Sequence, residues 1–280
     1  MLGDLSRVNS NSQAFKALAQ LNKTNGELGQ RQMRLSTGKR INAAEDDSAG
    51  YAIARKLEAK TRGQAQALSN IGDAKSMLTV AEGSLGSVMD ILQTMKEKTV
   101  QAANDTLGAD ERDKIKNQLN ALSDEVTDLL GDSEFNGTSL FSSTGDSSFS
   151  FQVNSDSGDT FTATISSTSV SALGIATGSL QVGSNASAGA TIQAVDTAID
   201  RLSERLAGLG DDQKRLTFKQ DNLNTSMNNY ESARSRIEDA DFAKEQMNIV
   251  KLQILQQTGT ASLAQANSAP QSILSIVGGQ

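Results

Sequence analysis

The chain has 280 residues, with 26 Lys and Arg against 33 Asp and Glu for a net charge of -7, no His, no Cys, one Pro and 4% aromatic residues. Without imidazole or thiol there is no zinc or haem site of the usual ligand types, no Ser-His-Asp triad and no disulfide framework, so neither an enzyme nor a cofactor is expected. The acidic balance argues against sequence-independent nucleic-acid binding, which needs clustered Lys and Arg to displace counterions from phosphate.

No apolar run approaches the roughly 18 residues of a membrane span, so no membrane insertion is expected. The first residues, 1–7, lack the apolar core of a secretory signal. Length allows one or two domains, and with Pro270 the only proline, almost the whole chain is free to be helical.

In chain order, the first stripe is thin. Val8 and Phe15 stand seven residues apart, as do Leu21, Leu28 and Leu35. From Ile53 a denser stripe runs through Leu57, Ala67, Ile71, Ala74, Leu78, Ala81, Leu85, Val88, Leu92, Met95 and Ala102. Its spacing by three and four, with polar gaps at Lys60, Gln64 and Thr99, predicts one long amphipathic helix. At 1.5 Å per residue, residues 47–104 would extend roughly 80 Å, so a rod is expected. A shorter stripe follows at Ile115, Leu119, Leu122, Val126 and Leu129, with Asp110 as the expected N-cap.

Ser, Thr and Gly dominate 138–191, and no Lys or Arg occurs in 117–200. This stretch predicts an acidic, solvated surface insert. Within it Phe149, Phe151 and Val153 alternate, then Phe161, Ala163 and Ile165, on either side of a polar segment at 154–159. That pattern predicts a β-hairpin. A second long stripe runs through Ile192, Val195, Ile199, Leu202, Leu206, Leu209, Leu216, Leu223, Met227, Tyr230 and Ile237 in heptad register, weakened locally by Gly208 and Gly210. Met247, Val250, Ile254 and Ala261 close the series. A helix with so thin a seam is marginal alone and needs a partner, so the terminal stripes are expected to carry contacts between subunits.

Several of these residues stand in a recognisable order. The run Leu35-Ser36-Thr37-Gly38-Lys39-Arg40-Ile41-Asn42-Ala43-Ala44-Glu45-Asp46-Asp47-Ser48-Ala49-Gly50 resembles the N-terminal signature of bacterial flagellin. Ser232-Ala233-Arg234-Ser235-Arg236-Ile237-Glu238-Asp239-Ala240-Asp241-Phe242 and Gln253-Ile254-Leu255-Gln256-Gln257 resemble its C-terminal signature. Val8-Asn9-Ser10-Asn11 is similar to the family's opening, and Glu134-Phe135-Asn136-Gly137 to the motif before its β region.

The resemblance implies a mainly α fold: an elongated antiparallel helical bundle or coiled coil, with a small β-hairpin region between the N- and C-terminal helical halves. It divides the chain into an inner coiled coil of both termini (1–42 with 240–280), core rod helices (43–134 with 191–239) and a surface insert (135–190). It implies a structural subunit that polymerises into the flagellar filament, with a hook-filament junction protein of similar fold as the alternative. The implied partners are further copies of the chain, an export chaperone, the filament cap and hook-junction proteins; the implied location is extracellular. Val8, Phe15, Leu21, Leu28, Leu35, Met247, Val250, Ile254 and Ala261 would serve the inner coiled coil and polymerisation.

A linker between inner and core parts would comprise Gly38, Arg40, Asn42, Asp46, Asp47, Arg234, Arg236 and Glu238. Read locally, Asn42 and Glu45 make a capping box with acids in the first turn, a simpler account than a carboxylate metal site. The cations Arg31, Arg34, Lys39 and Arg40 complement the end of the first helix, where Gly38 can turn left-handed. The segment holding Gln93, Thr94, Glu97, Lys98 and Gln101 aligns with the one that the Toll-like flagellin receptor reads, but Thr94 replaces the family's Arg and Lys98 its Leu. Losing a bidentate-capable cation and an apolar anchor implies weak or no receptor activation.

Overall fold

The computed structural model describes residues 11–142 and 145–277. Val8 lies outside the described residues. In chain order the elements are helices α1 (Ser12–Thr37), α2 (Ser48–Ala102) and α3 (Ala109–Gly131), strands β1 (Glu134–Phe135), β2 (Thr138–Ser139), β3 (Ser147–Gln152) and β4 (Thr160–Ile165), then α4 (Val170–Leu173), α5 (Asn185–Glu238) and α6 (Phe242–Val277).

The chain is mainly α. It forms two compact units, Met1–Ala59 with Asn229–Gln280, and Lys60–Asn228. These units divide within α2 and α5, whereas the sequence divides the chain at its linkers.

In the unit of residues 60–228 the predicted heptads are the core. On α2, Ala67, Ile71, Ala74, Leu78, Ala81, Leu85, Val88, Leu92, Met95 and Ala102 are all buried. The polar gaps lie on the same seam: the Gln64 side-chain amide donates to Ser226 Oγ at 3.2 Å, and the Thr99 hydroxyl donates to the Met95 carbonyl at 2.7 Å. On α5 the buried series is Ala188, Val195, Leu202, Leu209, Leu216 and Leu223, and the helix continues unbroken through Gly208 and Gly210. Tertiary packing outweighs the cost of two glycines at exposed positions.

Two expectations need correcting here. Helix α3 is capped by Gly108 with no side-chain bond, and Asp110 and Glu111 sit in its first turn, where the helix dipole favours acids without a capping role. Residues 135–190 are less of a surface insert than their composition predicts. Leu140, Phe141, Val153, Phe161, Ala163, Ile165, Leu173, Ile175, Leu180 and Val182 join the same hydrophobic core as the long helices. Most acids and hydroxyls of this stretch face outward because the apolar residues between them are used inward, while the buried Thr168 donates its hydroxyl to the Ser166 carbonyl at 2.8 Å.

The β3–β4 hairpin pairs Phe149 with Ala163 and Phe151 with Phe161, and β4 alternates buried and exposed as predicted. A second, unpredicted hairpin joins β1 to β2 through Asn136 and Gly137, both with positive φ, as a type I′ turn requires. The Asn-Gly pair is the signal that could have placed it.

Candidate functional site

The unit of residues 1–59 and 229–280 holds most of the residues that the sequence singles out. Helix α1 begins with Asn11, whose side chain accepts from the Ala14 N–H at 3.0 Å, and ends at Gly38 in the left-handed conformation. It runs antiparallel to α6. Successive contacts are Asn11 with Ala266, Leu21 with Gly259, Asn25 with Gln256 and Arg31 with Glu245.

The seam is narrow. Leu28, Ile249 and Leu252 are buried together with Leu35 packed against them. Thr24 and Glu245 are also buried there. At the far end Gly259 allows the Leu21 methyl to approach, since a Cβ on Gly259 would lie 3.3 Å from it.

The sequence-predicted residues therefore fall into two sets. Leu21, Leu28 and Leu35 lie on the α1 side of the seam. Phe15, Met247, Val250, Ile254 and Ala261 do not: Phe15 is 68%, Met247 66%, Val250 46% and Ile254 58% exposed, and Ala261 is exposed as well. On α6 the seam is formed instead by Glu245, Ile249, Leu252, Gln256 and Gly259, so Met247, Ile254 and Ala261, seven residues apart, occupy the opposite face. Both faces of α6 carry apolar side chains, and among the described residues one of them is paired with α1.

The linker residues converge on the start of this pair. The Arg40 N–H donates to the Glu238 carbonyl at 2.6 Å and the Ala240 N–H to the Gly38 carbonyl at 2.9 Å, forming a bridge between Lys39 and Asp239. Arg40 Nη2 donates to the Ile237 carbonyl at 2.7 Å. Glu238, buried, lies 2.7 Å from Lys39 Nζ and 3.8 Å from Arg234 Nε. Arg236 is exposed in the last turn of α5.

The loop before α2 is organised by Asp46, which corrects the capping box. Helix α2 starts at Ser48, too far along for Asn42 to cap it. Asp47 takes that role, its Oδ1 accepting from the Gly50 N–H at 2.9 Å. Asn42 instead donates its side-chain amide to the Lys39 carbonyl. Asp46 Oδ2 accepts from the Asn42 and Ala43 backbone N–H groups, and its Oδ1 from Gln30 and Arg34. These donors, the Asn42 N–H foremost, hold the Asp46 carboxyl down at about 2.

In the unit of residues 60–228, Gln93, Thr94, Glu97 and Gln101 are exposed on α2 and Lys98 is half-buried. The Thr94 hydroxyl is turned onto its own helix, donating to the Asp90 carbonyl at 3.0 Å. Beside them, Lys96 pairs with Asp196 at 2.6 Å.

Among the described residues no helix is long and apolar enough to cross a membrane, and no group of three or more His, Cys, Asp or Glu could hold a metal ion.

Residues 8–146 match the family model of the bacterial flagellin N-terminal helical region, and residues 192–277 that of the bacterial flagellin C-terminal helical region. The chain is similar to flagellin FlaB1 of Treponema pallidum, 34% identical with 96% of this chain and 99% of that one covered. It is 35% identical to a flagellin of Halalkalibacterium halodurans, with 96% and 99% covered. A Vibrio parahaemolyticus structure described as a flagellar hook-associated protein shares the fold, with a TM-score of 0.56 at 18% identity over 69% of this chain and 100% of that one.

Proposed function

The chain belongs to the bacterial flagellin family, and from that premise we propose how its own residues build a filament. It is a structural subunit of the bacterial flagellar filament and not an enzyme.

The observation that carries the proposal is the apolar outer face of α6. Helix pairing with α1 uses one side of α6 and leaves Met247, Val250 and Ile254 in water. Contiguous apolar surface opposite an already formed seam is the mark of a second interface. In the filament that face, with Phe15 on α1, packs against the terminal helices of neighbouring copies. Because the contact joins different surfaces of successive subunits and does not close, it grows without limit, as a propeller requires.

On this reading the terminal helices form the inner coiled coil, and the long helices of residues 60–228 the core rod. The knot of Gly38, Arg40, Asn42, Asp46, Arg234 and Glu238 connects them. Export of the unfolded chain, a chaperone on its C-terminal helix, and contacts with the filament cap and hook-junction proteins belong to the same reading. A chain with no cysteine carries no disulfide to undo during such passage.

At the receptor-aligned segment, Thr94 spends its hydroxyl on its own helix and Lys98 places a cation where an apolar anchor is wanted. Activation of the Toll-like flagellin receptor is weak or absent on this reading. Thr94→Arg with Lys98→Leu should then raise the signal in a cell reporter assay, and potent activation by the unaltered chain would refute it.

The experiment that tests the main proposal is salt-induced polymerisation of the purified chain, viewed by electron microscopy. Long filaments are expected. Short rings or no polymer would favour the junction-protein alternative, which otherwise has only likeness of fold behind it.

A further inference from the structure

The buried apolar cluster of the α1–α6 seam is short: Leu28, Ile249 and Leu252, with Leu35 packed against it. So short a stretch does not define one alignment. With α1 slid one heptad toward the C-terminal end of α6, Leu35 would meet Ile249 and Leu252, and Leu21 would meet Leu263. That seam would be equally apolar.

Besides the bridge at Lys39 and Asp239, one ion pair within the helices opposes it. Arg31 Nη1 lies 2.9 Å from each Glu245 carboxylate oxygen, and the Glu245 side chain is only 7% exposed. In the slipped alignment Arg31 would face Leu252, and Glu245 would lie past the end of α1 at Gly38. With the slip reversed, Glu245 would face Thr24 with no cation opposite. The forward slip forfeits the ion pair outright, and the reverse slip leaves Glu245 buried with no cation opposite, the costlier of the two. A charged or polar pair on a coiled-coil seam is the known means of fixing register.

We propose that Arg31 and Glu245 are the register key of the terminal helices. The two backbone bonds at Arg40 and Ala240 begin the pairing, and the ion pair sets the alignment of everything beyond it. Register matters because it sets how far along the pair the outward residues of α1, Phe15 and Met33, stand from the outward residues of α6, Met247, Val250 and Ile254. The pair thereby composes the surface that meets the next subunit. This consequence rests on the reading that the outward faces carry assembly.

The chain has no cysteine, so Asn25→Cys with Gln256→Cys gives a background-free reporter of alignment, placed where those side chains are in contact at 2.8 Å. Disulfide yield is measured on the full chain in polymerising salt, in pelleted filaments and in the supernatant. Arg31→Glu alone, Glu245→Arg alone, and Arg31→Leu with Glu245→Leu should each lower the yield roughly tenfold or more. The exchanged pair, Arg31→Glu with Glu245→Arg, should restore it.

Full yield in the double Leu variant would show that the linker bonds alone set the register and would overturn the proposal, as would failure of the exchanged pair to restore it. Lost cross-link with normal filaments would uphold the key and overturn the assembly reading instead.

Discussion

The two units of this chain are built from the same helical repeat and satisfied to different degrees. In residues 60–228 the heptads of α2 and α5, the stripe of α3 and the apolar side of the hairpin region share one core. In the unit that holds both termini, the buried cluster is Leu28, Ile249 and Leu252 with Leu35 beside it, and larger apolar side chains remain in water. The first unit gathers its apolar residues into one core; the second, among the described residues, keeps an apolar face outward, the one proposed to meet another copy. A filament subunit needs both properties, since it must keep a shape of its own and still have something to gain by joining.

This contrast can be broken at several points. The largest effect belongs to Ile254→Asp, which should abolish polymerisation because it sets a charge in the proposed interface. Its denaturant unfolding midpoint for the middle unit should not move, and filaments of normal length would remove α6's outer face from the account. Next, Leu202→Ala, in the centre of the α5 heptads, should destabilise the middle unit by about 2–5 kcal/mol through lost contacts and a cavity. Equilibrium unfolding followed by circular dichroism would measure it, and a loss of less than about 1 kcal/mol would mean that the seam is not the core.

Smaller and local is Asp46→Asn, which weakens the acceptor shared by the Asn42 and Ala43 N–H groups and Arg34 and should cost about 1–2 kcal/mol. Faster amide exchange at Asn42 and Ala43, with no change in α2 beyond its first turn, is the expected sign. The smallest effect comes from acid. Asp46 is held at about 2 in the folded chain against about 3.9 when unfolded. Its contribution is therefore complete above about pH 4 and is lost as pH falls toward 2. A carboxyl titration by NMR should place its midpoint near 2; a midpoint in the ordinary carboxylate range would show that the linker knot is not formed in solution.

Much of the middle unit is legible in the sequence because its apolar residues serve one purpose. Spacing by three and four from Ala67 to Ala102 marks α2, and Val195, Leu202, Leu209, Leu216 and Leu223 mark α5, each falling where burial needs it. Phe149 to Ile165 alternates as a hairpin must. The start of α2 is not legible in the same way. Asn42 has the right chemistry for a cap, but the loop is set by Asp46 reaching back to Gln30 and Arg34 and by the bridge to Asp239, contacts that lie outside the local window.

The terminal helices show a second limit of periodicity. Met247, Val250, Ile254 and Ala261 form the more obvious stripe on α6, yet the helix turns Glu245, Ile249, Leu252, Gln256 and Gly259 toward α1. Apolar spacing announces that a face will be buried without saying by what. The polar seam positions are explained only by their partners: Glu245 by Arg31, Gln256 by Asn25, and Gly259 by the bulk of Leu21.

The central claim is that the outer face of α6 is the surface by which one copy joins the next. A helical reconstruction of the assembled filament by electron microscopy, at a resolution that shows side chains, tests it most directly. Met247, Val250 and Ile254 should be covered by the terminal helices of neighbouring subunits, with Arg31 and Glu245 still paired within each copy. Density that leaves those three side chains facing open solvent would contradict it.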